Sequence, residues 1–196
     1  MVAHTTATTA DAYRLLHEGA IALARCEGGG LYVDERYLET TIAKTKGRLA
    51  RIQTRLERSE VCKQWKKRFG NRMNLNSRDQ LGQVLFGDMG FEGGVWMEKS
   101  QQYKTDDAIL AGVDHPFIPT YQKYSKLQKI LNTYLIGIQR EAVRGIVHPF
   151  YNLHLARTYR SSSDSPNFQN IPIRDPSLGR LVRQAFIAPS GMCILE

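Results

Sequence analysis

Apolar residues recur at helical spacing along most of this chain. Ala12, Leu15, Leu16, Ala20 and Leu23 fall on one face of a helix expected over residues 11–26. Gly28, Gly29 and Gly30 predict its end. No Lys-Ser/Thr pair follows them, so they read as a helix stop rather than a phosphate loop. The short extended piece "LYVD" leads to Asp34, which can cap the next helix. In that helix Leu38, Ile42, Thr45, Leu49, Ile52 and Leu56 are spaced 4, 3, 4, 3, 4, an apolar seam with one polar position. The spacing predicts a long helix packed along an antiparallel partner. Leu127, Leu131, Leu135 and Ile138 share a face and offer one, with Pro116 suited to its first turn.

Between these stretches lies "NLNSRDQLGQVLF". Ser77 followed by Gln80 has the form of a capping box, which predicts a short helix from Arg78 to about Phe86. A turn-rich connector, "GDMGFEGG", follows. Thr105 then precedes Asp106 and Asp107, a cap followed by two acids that suit a helix N-terminus better than a metal. After Gly145 the pattern changes. "IVHPFYNLHL" is strand-like, and "RQAFIAPSGMCILE" reads as two strands joined at Pro189-Ser190-Gly191. The fold class is therefore α+β: a flexible N-terminus over 1–10, a helical region over 11–145, and strand and loop over 146–196. The last part is too small to be a complete domain.

Composition narrows the picture. Hydrophobic residues make up 42% of the 196, enough for a packed core, yet no apolar run approaches the length of about 18 residues that spans a membrane. The opening "MVAHTTATTADAY" lacks the regions of a signal peptide. Cys26, Cys62 and Cys193 are odd in number and have no zinc spacing, so they read as reduced thiols of a cytoplasmic protein. The net charge of +8 is concentrated. Between Lys44 and Arg72 eleven Lys/Arg face only Glu57 and Glu60, a local balance of +9. Such a run is either a solvated helix face or a footprint for a phosphate backbone.

The chemistry centres on "TYRSSSDSPNFQNIPIR", residues 158–174. It contains no catalytic dyad and no metal-ligand pattern. Its amides can donate to the purine N3 and pyrimidine O2 acceptors that line the minor groove at every base pair. Its hydroxyls and arginines suit phosphate oxygens. Asn167, Gln169, Asn170, Arg160 and Arg174 fit that work. The alternative is a Pro/Ser/Asn loop that caps its own backbone.

The stretch resembles the T-G-R-L-S-S-x-x-P-N-L-Q-N-I-P-x-R signature of family A DNA polymerases, the bacterial and phage polymerase I type. Thr158, Arg160, Ser162, Ser163, Pro166, Asn167, Gln169, Asn170, Ile171, Pro172 and Arg174 match without a gap. "GRLVRQAFIAPSG" is similar to the family's G-R-x-I-R-Q-A-F-I-A-P-x-G. "MNLNSRDQLGQVLF", "TDDAIL", "YSKLQKILNTYL" and "GLYVDERYL" resemble segments of its thumb. The resemblance implies that Arg160 reaches the minor groove at the primer terminus, that Asn167, Gln169 and Asn170 line the duplex there, and that Arg174 lies near the incoming nucleotide. It implies that Asn74, Ser77, Thr105 and Lys126 hold the primer-template backbone. Tyr159 stands where the family has Gly and Ser161 where it has Leu.

The resemblance also implies what these residues lack. The family transfers nucleotides with two magnesium ions held by two palm aspartates, the first of them in D-Y-S-x-I-E, directly after the strand that "GMCILE" resembles. The expectation is a thumb and the start of a palm, with no catalytic residue and no metal or other cofactor bound by these residues. The partners would be primer-template DNA and a second chain or further C-terminal segment carrying the rest of the palm and the fingers. A free-standing, non-catalytic duplex-binding module is the alternative, and a basic helical RNA-binding protein is a third reading.

Overall fold

The computed structural model describes residues 8–156, 158, 160–172 and 175–194. Tyr159 and Arg174, singled out above, lie outside the described residues, as does most of the 1–10 segment. In chain order the elements are α1 (Thr9–Gly29), β1 (Leu31–Tyr32), α2 (Glu35–Glu57), α3 (Glu60–Phe69), α4 (Arg78–Gly82), β2 (Trp96–Met97), β3 (Gln102–Tyr103), α5 (Asp107–Ala111), α6 (Phe117–Lys129), α7 (Ile136–Glu141), β4 (Ile146–Val147), β5 (Phe150–Asn152), β6 (Ser162–Asp164) and α8 (Pro176–Arg183). Two π-helical segments, Gln83–Asp88 and Ile130–Leu135, continue α4 and α6. The mixed, helix-dominated α+β class read from the sequence is the one observed. The three small sheets are antiparallel pairs: β1 with β4, β2 with β3, and β5 with β6.

Local signals account for the helix ends. The Thr8 hydroxyl accepts from the Asp11 N–H at 3.2 Å, and the Asp11 carboxylate accepts from the Thr8 N–H at 2.9 Å, a complete capping box for α1. The helix runs on through Gly28 and Gly29. Only Gly30, at φ 63°, takes the left-handed conformation that ends it. No residue of α1 is buried. Ala12, Leu16 and Leu23 of the expected face are half-buried, but Leu15 and Ala20 are exposed. Asp34 caps α2 by accepting from the Tyr37 N–H at 2.8 Å. The α2 seam is buried at every expected position except the half-buried Ile52.

The chain divides into two compact units. One comprises the described residues of Met1–Ala43 and Ile130–Glu196, the other Lys44–Lys129. Buried Val33, Leu38, Ile42, Leu131, Leu135, Ile138, Val147 and Val182 form the core of the first. Leu56, Val61, Trp65, Leu81, Leu85, Leu110, Phe117, Tyr121 and Leu127 form that of the second. In the first unit α1 lies against β5 and α8 against the π-helical segment Ile130–Leu135.

One expectation fails. "RQAFIAPSGMCILE" does not form two strands among its described residues. Its first residue, Arg183, ends α8 and Gln184 is the C-cap; at the other end of that helix Asp175 caps by accepting from the Leu178 N–H at 3.2 Å and Pro176 occupies the first turn. Val182 and Ala185 bury the helical face. A strand needs a ladder, and beyond α8 the backbone finds only an isolated Phe186–Val33 bridge and the Tyr32 carbonyl, which accepts from Ile187 at 3.0 Å. The turn at Pro189-Ser190-Gly191 does form, closed by the Met192 N–H on the Pro189 carbonyl at 3.0 Å, with Gly191 at φ 78°.

Leu135 is fully buried, so Leu135→Ala should cost about 2–5 kcal/mol of unfolding free energy. Leu15 is 56% exposed, and Leu15→Ala should change stability by less than about 0.5 kcal/mol. Urea titration of both variants measures this, and equal midpoints would remove Leu135 from the core.

Candidate nucleic-acid interface

In the Lys44–Lys129 unit the turn before α4 is built by one side chain. The Gln80 carbonyl oxygen accepts from the Trp65 indole N–H and from the Asn74 N–H, each at 2.9 Å, and its amide nitrogen donates to the Arg72 carbonyl at 3.0 Å. The expected capping box is therefore half right. Ser77 accepts from the Gln80 N–H at 3.3 Å, but Gln80 turns to α3 and the preceding turn instead of back to Ser77. Asn74 is exposed, and its side-chain oxygen accepts from the Asn76 N–H at 2.9 Å.

Thr105 is not the cap of α5. It is 7% exposed, and its hydroxyl donates to the Arg78 carbonyl at 3.3 Å. Asp106 caps the helix by accepting from the Ile109 N–H at 2.9 Å. That hydrogen bond, with the Lys104 ammonium at 3.0 Å, holds the Asp106 carboxyl below its usual range. A cap must be free of the packing that fixes Thr105, which is why the cap lies one residue later than the sequence suggested.

Arg78 is the residue the sequence reading missed. Its guanidinium donates to the Thr105 carbonyl at 2.6 Å and the Ser125 hydroxyl at 3.4 Å, lies 3.7 Å from Asp107, and sits over the Tyr121 ring at 5.7 Å. Asp107 also pairs with Lys126 at 3.8 Å. Thr105 and Lys126 are thus gathered around one arginine and one carboxylate, while the Ser77 side chain serves the Gln80 N–H. The signal present in the sequence was an arginine directly after a cap, a position with the reach to use several of its five donors.

This unit also carries the charge. It holds seventeen Lys/Arg against nine Asp/Glu, a balance of +8, so the rest of the chain sums to zero. All eleven basic residues between Lys44 and Arg72 are exposed. Lys44, Arg48, Arg51 and Arg55 recur at i, i+4, i+7 and i+11 and form one stripe of α2 beside its buried seam. Among the described residues only Lys63 and Arg68 of the eleven pair with a carboxylate, Glu60 and Asp88. An open cleft of about 450 Å³ beside Asn74 is lined by Gln53, Glu57, Cys62, Lys66 and Tyr124. Cys62 is buried in the core of this unit, and that burial pushes its thiol up.

In the other unit the polar loop follows β5 and β6. Asn167 turns inward: its side-chain oxygen accepts from the Asn170 N–H at 3.2 Å and caps a 3₁₀ turn over Phe168–Asn170. The Ser163 hydroxyl, buried, accepts from the Gln169 N–H at 3.2 Å. The Gln169 amide nitrogen donates to the Ser161 hydroxyl at 2.8 Å. Gln169, Asn170 and Arg160 are exposed, and Arg160 makes no hydrogen bond or ion pair among the described residues. Asp175 caps α8, and Asp164 accepts from the Ser165 N–H at 2.8 Å. Among the described residues no three His, Cys, Asp or Glu side chains are grouped to hold a metal ion, so no metal-dependent step is derived from them. No described helix is long and apolar enough to cross a membrane.

Residues 43–196 match the family model for DNA polymerase family A. The chain is 33% identical over 177 residues to the thermostable DNA polymerase I of Thermus aquaticus, covering 88% of this chain and 20% of that protein. It is 36% identical over 176 residues to DNA polymerase I of Rhizobium leguminosarum, covering 86% and 16%. A similar solved structure is the POL domain of Pol1 from M. smegmatis in complex with DNA primer-template and dNTP, with a TM-score of 0.72, 27% identity, and 87% of this chain and 29% of that chain covered. The chain spans about a fifth of the length of the first curated relatives it matches.

Lysine keeps the charge of Arg78 but not its fork, so Arg78→Lys should lower the unfolding free energy by about 1 kcal/mol. A urea midpoint equal to that of the unaltered protein would deny Arg78 its organising role.

Proposed function

The chain belongs to DNA polymerase family A, and from that premise we propose that it is the part of a DNA-directed DNA polymerase that grips the primer-template duplex. In this reading residues 11–145 correspond to the thumb and 146–196 to the opening of the palm, with loop 158–176 against the duplex. The observation that carries it is the loop's division of polar groups. Asn167 and Ser163 are spent on its own backbone, while Arg160, Gln169 and Asn170 are turned to solvent. Groups so placed suit minor-groove acceptors, which are alike at every base pair and reward a correctly shaped pair over a mismatched one.

Asn74, Ser77, Thr105 and Lys126 take the phosphate backbone, together with the basic stripe of α2. The pairing of Arg78 and Lys126 with Asp107 supports this reading; Thr105 is buried, so its part in it is through the backbone of the turn that its hydroxyl ties to the Arg78 carbonyl. Arg174 is proposed for the incoming-nucleotide end on motif position alone. The solved relative bound to primer-template and dNTP supports the DNA partner. Three free cysteines suit a cytoplasmic setting.

Exposed apolar residues favour a larger assembly over a free-standing module. Ile187, Met192 and Ile194 are 45%, 71% and 59% exposed. We assign the magnesium-binding aspartates and the fingers to residues outside these 196, supplied in the same polypeptide or by a second chain. There the metals would activate the primer 3′-hydroxyl and stabilise the leaving pyrophosphate.

Two experiments test the reading. Arg160→Ala and Gln169→Ala should weaken binding to a recessed 3′ end with little change in salt dependence. Replacing Lys44, Arg48, Arg51 and Arg55 should instead reduce the slope of log K against log salt by about 0.9 for each phosphate no longer neutralised. Equal slopes for the two sets would undo this division, and a preference for RNA would favour the third reading. The 196-residue protein, given primed template, magnesium and nucleotides, should leave the primer unextended. Any extension would refute the assignment of catalysis to other residues.

A further inference from the structure

Loop 167–172 is held from behind at three points, all within one unit. The Tyr134 hydroxyl, on the π-helical segment Ile130–Leu135, donates to the Asn170 carbonyl. Tyr134 is 3% exposed, so its ring is fixed by packing. Phe168 meets Phe186 edge to face at 5.2 Å. Gly179 of α8 faces the loop so closely that a Cβ there would lie 2.3 Å from the Pro172 carbonyl oxygen, where ordinary contact begins at 3.4 Å. That neighbour is backbone, so it has no rotamer by which to yield. Gly179 has no positive φ to explain it; close approach is its only demand.

We propose that Tyr134 and Gly179 are positioning residues, which hold Gln169 and Asn170 in place before any duplex arrives. The inference rests on the duplex-gripping reading for its purpose. The gain is preorganisation: a loop already ordered loses less entropy on binding, and exposed amides are useful to a groove only if their spacing is set. Tyr134 fixes the loop by a hydrogen bond at Asn170, and Gly179 fixes its exit by allowing helix and loop backbones to touch. Neither residue is required to touch DNA.

The test uses the 196-residue protein, unaltered and as Tyr134→Phe, Gly179→Ala and Gly137→Ala. A Cβ at Gly137 would meet nothing within 4 Å, so Gly137→Ala controls for adding a methyl to a helix of the same unit. Amide hydrogen exchange at Gln169, Asn170 and Ile171 is measured without DNA. Losing the hydroxyl should speed exchange there by roughly 3- to 10-fold, Gly179→Ala should do so by at least as much, and Gly137→Ala should not. Binding is then compared for a recessed 3′ end and a blunt duplex. The recessed-end preference should fall by a similar factor in both positioning variants, with blunt-duplex affinity unchanged. If Gly179→Ala does not fold, Tyr134→Phe carries the test. Unchanged loop exchange in Tyr134→Phe overturns the proposal. Faster exchange in a protein with no recessed-end preference at all would uphold the positioning and overturn the duplex-gripping reading instead.

Discussion

A backbone amide that leaves a helix or a ladder must find another partner, and the described sheets of this chain are pairs of two or three residues each. Its long connections therefore depend on side chains. Gln80 alone serves the Asn74 N–H, the Arg72 carbonyl and the Trp65 indole. Arg78 serves the Thr105 carbonyl, and Tyr121 donates to the Leu75 carbonyl at 3.0 Å. In the other unit Asn167 and Ser163 serve the loop, and Glu27 accepts from the Tyr151 N–H at 2.6 Å. Each of these side chains supplies one backbone bond, and Gln80 two, that a ladder would otherwise have supplied, so each turn is fixed locally.

The same constraint shapes the polar loop. A loop rich in serine and amide could either cap itself or reach for a ligand. Here the two roles fall on different residues. Asn167 and Ser163 serve the loop itself, and Gln169, though exposed, gives its amide nitrogen to Ser161. Self-capping holds the turn locally, and the packed Tyr134, Phe186 and Gly179 behind it fix where the exposed amides stand. The capping reading and the groove reading are thus parts of one arrangement and not competitors.

What the sequence disclosed follows the range of the interaction. Asp34 and the Ser77 cap were legible because a cap acts within three residues. The α2 seam was legible because burial repeats with the helix. The partners of Gln80 and Arg78 were not, since Trp65 lies 15 residues from Gln80 and Thr105 lies 27 from Arg78. The strands expected over "RQAFIAPSG" failed for a related reason. β-propensity in Phe186 and Ile187 is worth little without a neighbour to pair with, whereas Asp175, Pro176 and the spacing of Val182 and Ala185 act locally. Gly179 was visible only as a motif letter; its meaning required the Pro172 carbonyl beside it.

Charge adds a last asymmetry. The Lys44–Lys129 unit holds every lysine of the chain and all of its net charge, while the ten cations of the other unit are all arginine and are matched by ten acids. A strongly hydrated ammonium on a flexible stem is a point charge, suited to following a phosphate backbone whose exact register does not matter. A guanidinium presents donors in a fixed plane, suited to acceptors whose position does matter. A surface that works by counterion release needs excess charge; a loop that works by geometry does not, and its local neutrality keeps it from binding phosphate indiscriminately. In the proposed reading the excess charge of the Lys44–Lys129 unit, carried by lysine and arginine together, would supply attraction, and the neutral unit's loop would supply placement. The rigid backing of loop 167–172 belongs to the second.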